Sequence, residues 1–191
     1  MNWLAHLYLS EPTPAFRIGN LLPDLAPAST LTDLPPAFQR GVKHHHQIDA
    51  FTDTHPVFAR SKSRIAPPLR RFAGILIDVF YDHILAREWA TYSATPLEEF
   101  VSEFYASFEH VRADIPSEAY QRLEDIRRHD FLCSYQHLEG VSNALRRIST
   151  RLRKPVPLAD SVVAFQESYN LFLEDFRIFF PELVVNFGTQ S

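Results

Sequence analysis

Glycine is scarce in this chain, with five among 191 residues, whereas proline occurs fourteen times. So few glycines argue against a glycine-rich phosphate loop and against a fold built from tight hairpins. A single cysteine, Cys133, excludes an internal disulfide and a cysteine-ligated zinc site. That usage fits a reducing cytoplasm. Long hydrophobic runs are missing too: the most apolar stretch, FAGILIDVFYDHIL, is interrupted by Asp78 and Asp82. The first residues, MNWLAHLYLSEPTP, have no basic segment ahead of a short apolar stretch, so no signal peptide or membrane span is expected. A net charge of -4 gives no global pull towards nucleic acid or an anionic membrane.

What the chain has is apolar surface. Hydrophobic residues make up 46% and aromatics 13%, including sixteen Phe, enough for a large core. One soluble domain spanning 1–191 is expected. The prolines punctuate segments of helical periodicity. Helices are predicted over about 35–54, 56–65 and 67–92, then from a capped start at Thr95-Pro96 to about Arg112, and again from Ser117. LEGVSNALRRISTRLRK is amphipathic, and LADSVVAFQESYNLFLEDFRIFF reads as one long helix ended by Pro181. Pro23 argues against a continuous helix through GNLLPDL. No segment alternates with period two, so the fold class is all-α, a single-domain helical bundle.

The chemistry concentrates in GVKHHHQIDAFTDTHP, residues 41–56. On a helix, His45, Asp49 and Asp53 share one face at i, i+4 and i+8, a spacing that lets neighbouring side chains grip one cation. His44 and His46 point elsewhere, and at least one of them is a surface residue. Asp78 and Asp82 form a second i, i+4 pair in a helix that is apolar nearly all round. Two buried carboxylates require compensation, by a metal or by salt bridges to Arg70, Arg71 or Arg87. With Asp24, four residues after Asn20, they complete a carboxylate-rich set with one or two imidazoles. That donor set suits Mn²⁺ or Mg²⁺ and the hydrolysis of phosphate esters. Cys133 reads as a small core residue rather than a nucleophile.

Four ordered motifs, MNWLAHLYLS, GNLLPD, GVKHHHQIDAFTD and DVFYDHILAREW, resemble the acyl carrier protein phosphodiesterases. The resemblance implies a helical fold like a distorted HD-domain phosphohydrolase. It implies a Mn²⁺- or Mg²⁺-dependent enzyme that cleaves 4′-phosphopantetheine from holo-acyl carrier protein. Asp24, His45, Asp49, Asp78 and Asp82 would then be catalytic and metal-ligating, with Asn20, His46 and His83 on the substrate side. A basic run, Arg146, Arg147, Arg151, Arg153 and Lys154, is either a solvated helix face or a patch for the acidic carrier protein, with Arg147 and Arg151 sharing a face. The alternative to an enzyme is a non-catalytic helical module that binds an acidic protein.

Overall fold

The computed structural model describes residues 1–188, so the last three residues of the expected 1–191 domain lie outside the described residues. The architecture is all-α, with no strand among the described residues. The first half comprises α1 (Trp3–Tyr8), α2 (Pro14–Leu25), α3 (Pro36–Thr54), α4 (Pro56–Ser63), α5 (Ala73–Arg87) and α6 (Trp89–Tyr92). The second half comprises α7 (Leu97–Ser107), α8 (Ser117–Arg128), α9 (Phe131–Ser134), α10 (Leu138–Arg151), α11 (Ser161–Glu167) and α12 (Tyr169–Phe187). None of these helices is long and apolar enough to cross a membrane.

The centre of the bundle is α5. Its sequence is apolar on every side, and the structure buries it accordingly, from Ala73 and Leu76 through Phe80 and Tyr81 to Ala86. Helices α1, α4, α10 and α12 pack around it. An aromatic layer joins α5 to the C-terminal helices, with Phe80 stacked on Phe165 at 4.0 Å between ring centres. Beneath it, the buried Asp175 of α12 accepts hydrogen bonds from Arg60 Nε at 2.7 Å, Ser61 Oγ at 2.7 Å and Arg64 Nε at 3.0 Å. The carboxylate thereby ties α4 to α12.

Helix boundaries depart from expectation in five places. Helix α2 runs on through Pro23, and α12 runs on through Pro181 instead of ending there. An interior proline costs about 3 kcal/mol, but Phe176, Phe179, Phe180 and Leu183 keep the buried face of α12 continuous across it. The expected long terminal helix is in fact two, broken at Ser168 between α11 and α12. The 67–92 segment divides into a 3-10 turn, Leu69–Phe72, then α5 and α6. Helix α7 begins at Leu97 after Pro96, with no side-chain cap from Thr95.

One helix crossing fixes the functional region. At Gly41 of α3, a Cβ would meet the backbone carbonyl oxygen of Phe16, and would lie 2.7 Å from the Asn20 nitrogen and 2.8 Å from the Gly19 carbonyl carbon. At Gly19 of α2, a Cβ would lie 2.9 Å from the Phe38 Cα. Only glycine at both positions lets the two backbones touch. That contact brings Asn20 of α2 against His45, one turn beyond Gly41 on α3.

Candidate metal centre

Asn20 is fully buried and orients two imidazoles. Its backbone carbonyl accepts a hydrogen bond from His45 Nδ1 at 2.7 Å. Its side-chain Oδ1 accepts one from His6 Nδ1 at 3.1 Å, while Nδ2 donates to the His6 carbonyl at 2.7 Å and to Ser10 Oγ at 2.8 Å. Both acceptors on the histidines are carbonyl oxygens, which carry no proton, so each ring must hold its proton on Nδ1. With Nδ1 so occupied, each Nε2 either carries a second proton and donates it to a neighbouring oxygen or, in the neutral ring, offers its lone pair to a cation. The two rings stack at 4.2 Å, tilted by 14°.

Both Nε2 atoms converge on Asp49. His45 Nε2 lies 3.0 Å from Asp49 Oδ2, and His6 Nε2 lies 3.3 Å from Asp49 Oδ1. The donor atoms of His6, His45 and Asp49 all fall within 4.8 Å of one another. The Met1 carbonyl oxygen adds a fourth acceptor, 3.2 Å from His6 Nε2. Acceptors packed this closely repel unless protons or a cation lie between them. Burial lowers the pKa of His6, which favours its neutral, lone-pair form. Burial also disfavours charge on His45, but Asp49 and Asp24 raise its pKa above the ordinary value. The Asp49 carboxyl, which burial alone would raise, is held well below the usual range by hydrogen bonds from His45 and His6. A charged carboxylate between two oriented imidazoles fits a divalent cation, and the carbonyls on Nδ1 are the outer partners such ligands ordinarily have.

Asp78 adjoins this group. The Met1 amino nitrogen lies 3.4 Å from Asp49 Oδ1 and 3.2 Å from Asp78 Oδ1, a positive charge set between two carboxylates. Burial alone would lower the pKa of that ammonium, but Asp78 and Asp49 raise it to about 10. Asp78 Oδ1 is buried and has no aligned hydrogen-bond donor among the described residues. Desolvation pushes its carboxyl above the ordinary value. Asp78 and the exposed Asp24 line one cavity of about 210 Å³, and Arg147 and Arg151 line it too. Six residues expected from the sequence, Asp24, His45, Asp49, Asp78, Arg147 and Arg151, thus lie in one region.

Other expected residues stand elsewhere. Asp82 is fully buried, and its two oxygens accept the Leu4 and Ala5 backbone N–H groups at 2.8 and 3.1 Å. It therefore holds the N-terminal turn of α1 and, through it, the position of His6. Desolvation raises its carboxyl to about 7. Neither Asp78 nor Asp82 pairs with an arginine: Arg70 donates to the Ile65 carbonyl, and Arg87 lies over the Tyr169 ring. Asn20 spends its whole side chain inside the protein and has nothing to offer a substrate. His83 is buried, donates Nδ1 to the Tyr135 carbonyl at 2.6 Å, and is pushed down to about 4 by desolvation. His46 is exposed on a shallow surface cavity with Lys43 and Gln47. Asp53 is exposed, 4.0 Å from Lys62. Burial raises the Cys133 thiol to about 12, which leaves it protonated and a poor nucleophile.

The residue that spacing did not reveal is His6. Its signal was present as a lone imidazole in the apolar stretch WLAHLY, where a buried polar ring has to find partners.

The family model for acyl carrier protein phosphodiesterase matches residues 1–183 of the chain. The acyl carrier protein phosphodiesterase of Salmonella agona (strain SL483) is 29% identical over 192 residues, covering all of both chains. Those of Salmonella newport (strain SL254) and Salmonella heidelberg (strain SL476) are 29% identical over the same span. No solved structure matches.

Proposed function

The chain belongs to the acyl carrier protein phosphodiesterase family, and on that premise we propose that it hydrolyses the phosphodiester between 4′-phosphopantetheine and a serine of holo-acyl carrier protein. The products are apo-acyl carrier protein and free phosphopantetheine, and the reading takes the enzyme to be cytoplasmic and to work beside fatty acid biosynthesis. His6, His45 and Asp49 would hold a divalent cation, with Asp78 and Asp24 completing its surroundings on the cavity side. Two nitrogens and several carboxylate oxygens suit Mn²⁺, with Mg²⁺ as the alternative, better than a structural zinc. Such an ion supplies positive charge against phosphoryl oxygens and lowers the pKa of water.

The protein's own residues divide the remaining work. Asn20 fixes both imidazoles in one tautomer, so that no reorganisation is needed when the site fills. Asp82 anchors α1 so that His6 reaches Asp49. The cavity that Asp24 and Asp78 line also carries Arg147 and Arg151, which favour an anionic diester over a neutral ester. Hydrolysis adds water to phosphorus and breaks the bond to the serine oxygen, which leaves with a proton. The observation that carries this reading is the convergence of two Nε2 atoms on one carboxylate, with both Nδ1 atoms anchored by a single residue.

Intact-mass spectrometry tests it. Holo-acyl carrier protein incubated with the protein and Mn²⁺ should lose the mass of phosphopantetheine, and chelator should prevent the loss. A carrier protein that keeps its full mass under both conditions would refute the activity.

A further inference from the structure

A second cavity, about 500 Å³, adjoins the first. The two share Trp3, Arg147 and Arg151. Beyond that junction its wall is mixed, with Ile126, Phe131 and Asn143 beside Arg122, Asp125, His129 and Arg146. Its size lies within the range of small-molecule sites, about 300–1,000 Å³.

The arginines around this groove fall into two kinds. Arg122 and Arg146 already have partners: Arg122 donates to Glu118 Oε1 at 2.6 Å, and Arg146 donates to Asn143 Oδ1 at 2.7 Å. Arg147 and Arg151 have no hydrogen-bond or ion-pair partner for their guanidinium groups among the described residues. Arg147 lies over the Phe131 ring, 3.4 Å from its centre, which holds the guanidinium in place while leaving its N–H edges free. Its partial burial lowers its pKa, a cost that a bound anion would relieve. Two unpaired guanidinium groups four residues apart on α10 line both cavities, and the first cavity also holds the carboxylates of Asp24 and Asp78.

We propose that this groove takes the phosphorylated pantetheine arm of the substrate, with Arg147 and Arg151 gripping the phosphate at the junction and the second cavity receiving the uncharged arm. The assignment rests on the phosphodiesterase reading above and deepens it. It differs from docking of an acidic protein surface in two respects. Arg147 is half-buried and, with Arg151, lines both concavities, whereas the cations suited to a protein surface, Arg153 and Lys154, stand exposed past the end of α10. In the second cavity Arg122, Arg146 and Asp125 are already paired with Glu118, Asn143 and Arg128, which leaves the aromatic and aliphatic surface of Trp3, Ile126 and Phe131 for a chain of amides and methylenes.

Calorimetric titration with 4′-phosphopantetheine, pantetheine and inorganic phosphate, without turnover, tests the assignment. The wild type should bind 4′-phosphopantetheine more tightly than either fragment. Arg147→Ala and Arg151→Ala should each weaken that binding about 10- to 100-fold, the usual effect of losing a charged hydrogen bond. Arg147→Lys should fail to restore it, because an ammonium cannot reproduce the planar fork. Arg153→Ala should bind as the wild type does. Arg151 is exposed, so its variant keeps the fold even if loss of the Arg147–Phe131 contact perturbs the other. Wild-type affinity for 4′-phosphopantetheine in both alanine variants, with weaker cleavage of holo-acyl carrier protein that recovers in high salt, would overturn the assignment and return the arginines to protein docking. Arginine-dependent binding of 4′-phosphopantetheine without any cleavage of holo-acyl carrier protein would instead support the groove and remove the activity reading.

Discussion

Asn20→Ala separates orientation of the imidazoles from mere stability. The substitution deletes three buried hydrogen bonds, to His6 Nδ1, the His6 carbonyl and Ser10 Oγ. At about 1 kcal/mol each, the loss is about 3 kcal/mol, and the stranded His6 N–H adds to it. A domain of ordinary stability, about 5–15 kcal/mol, survives that loss. The backbone carbonyl of residue 20 remains, so His45 keeps its anchor while His6 alone loses its own. Loss of such an outer partner weakens metal binding about 10- to 100-fold. Urea denaturation measures the first effect and calorimetric Mn²⁺ titration the second. Asn20→Asp provides the contrast: an oxygen still accepts from His6 Nδ1, but the Nδ2 donors are gone. It should recover much of the Mn²⁺ affinity without recovering the stability. If Asn20→Ala loses stability yet binds Mn²⁺ like the wild type, Asn20 is a packing residue and His6 is not a ligand.

Gly41→Ala should push α2 and α3 apart, because a Cβ would lie 2.7 Å from the Asn20 nitrogen, an atom of rigid backbone. The expected cost is about 1–3 kcal/mol in thermal or urea unfolding, together with weaker Mn²⁺ binding as Asn20 withdraws from His45. Burial alone would raise the Asp175 carboxyl, but Arg64, Ser61 and Arg60 hold it below its ordinary value of 3.8. The resulting stability is present above 3.8 and is lost as pH falls through the lower folded value. Asp175→Asn should therefore unfold about 3 kcal/mol more easily at neutral pH, and its deficit relative to wild type should narrow on acidification below the ordinary carboxylate range; a pH-independent deficit would contradict the ion-pair origin. Cys133→Ser should retain most of the hydrolytic activity; a folded but inactive variant would reopen covalent catalysis.

The helix bearing Gly41, His45 and Asp49 was legible because its members are four residues apart, and local geometry alone puts them on one face. The pairing of Asp78 with Asp82 was equally visible, but not its meaning. Spacing cannot say what lies across a buried helix, and there Asp82 meets the free N–H groups of α1 while Asp78 faces the cavity. His6 escaped for the complementary reason. It has no spaced partner on its own helix and joins the site only through a ring stacked from a distant segment. Arg147 and Arg151 read as a charged surface because a basic run carries no sign of curvature, whereas in the folded chain both line two cavities. Pro23 and Pro181 misled in the same way, since local helix-breaking was outweighed by tertiary burial.

On the proposed reading, His6 and His45 present their Nε2 atoms to a divalent cation beside Asp49. Electron spin-echo spectroscopy of the Mn²⁺-loaded protein addresses it directly, because nitrogen nuclei bonded to the ion modulate the echo. Two coupled imidazole nitrogens are predicted in the wild type, one in His6→Ala and one in His45→Ala. A wild-type echo with no nitrogen modulation, or one unchanged by both substitutions, would place the ion elsewhere and contradict the claim.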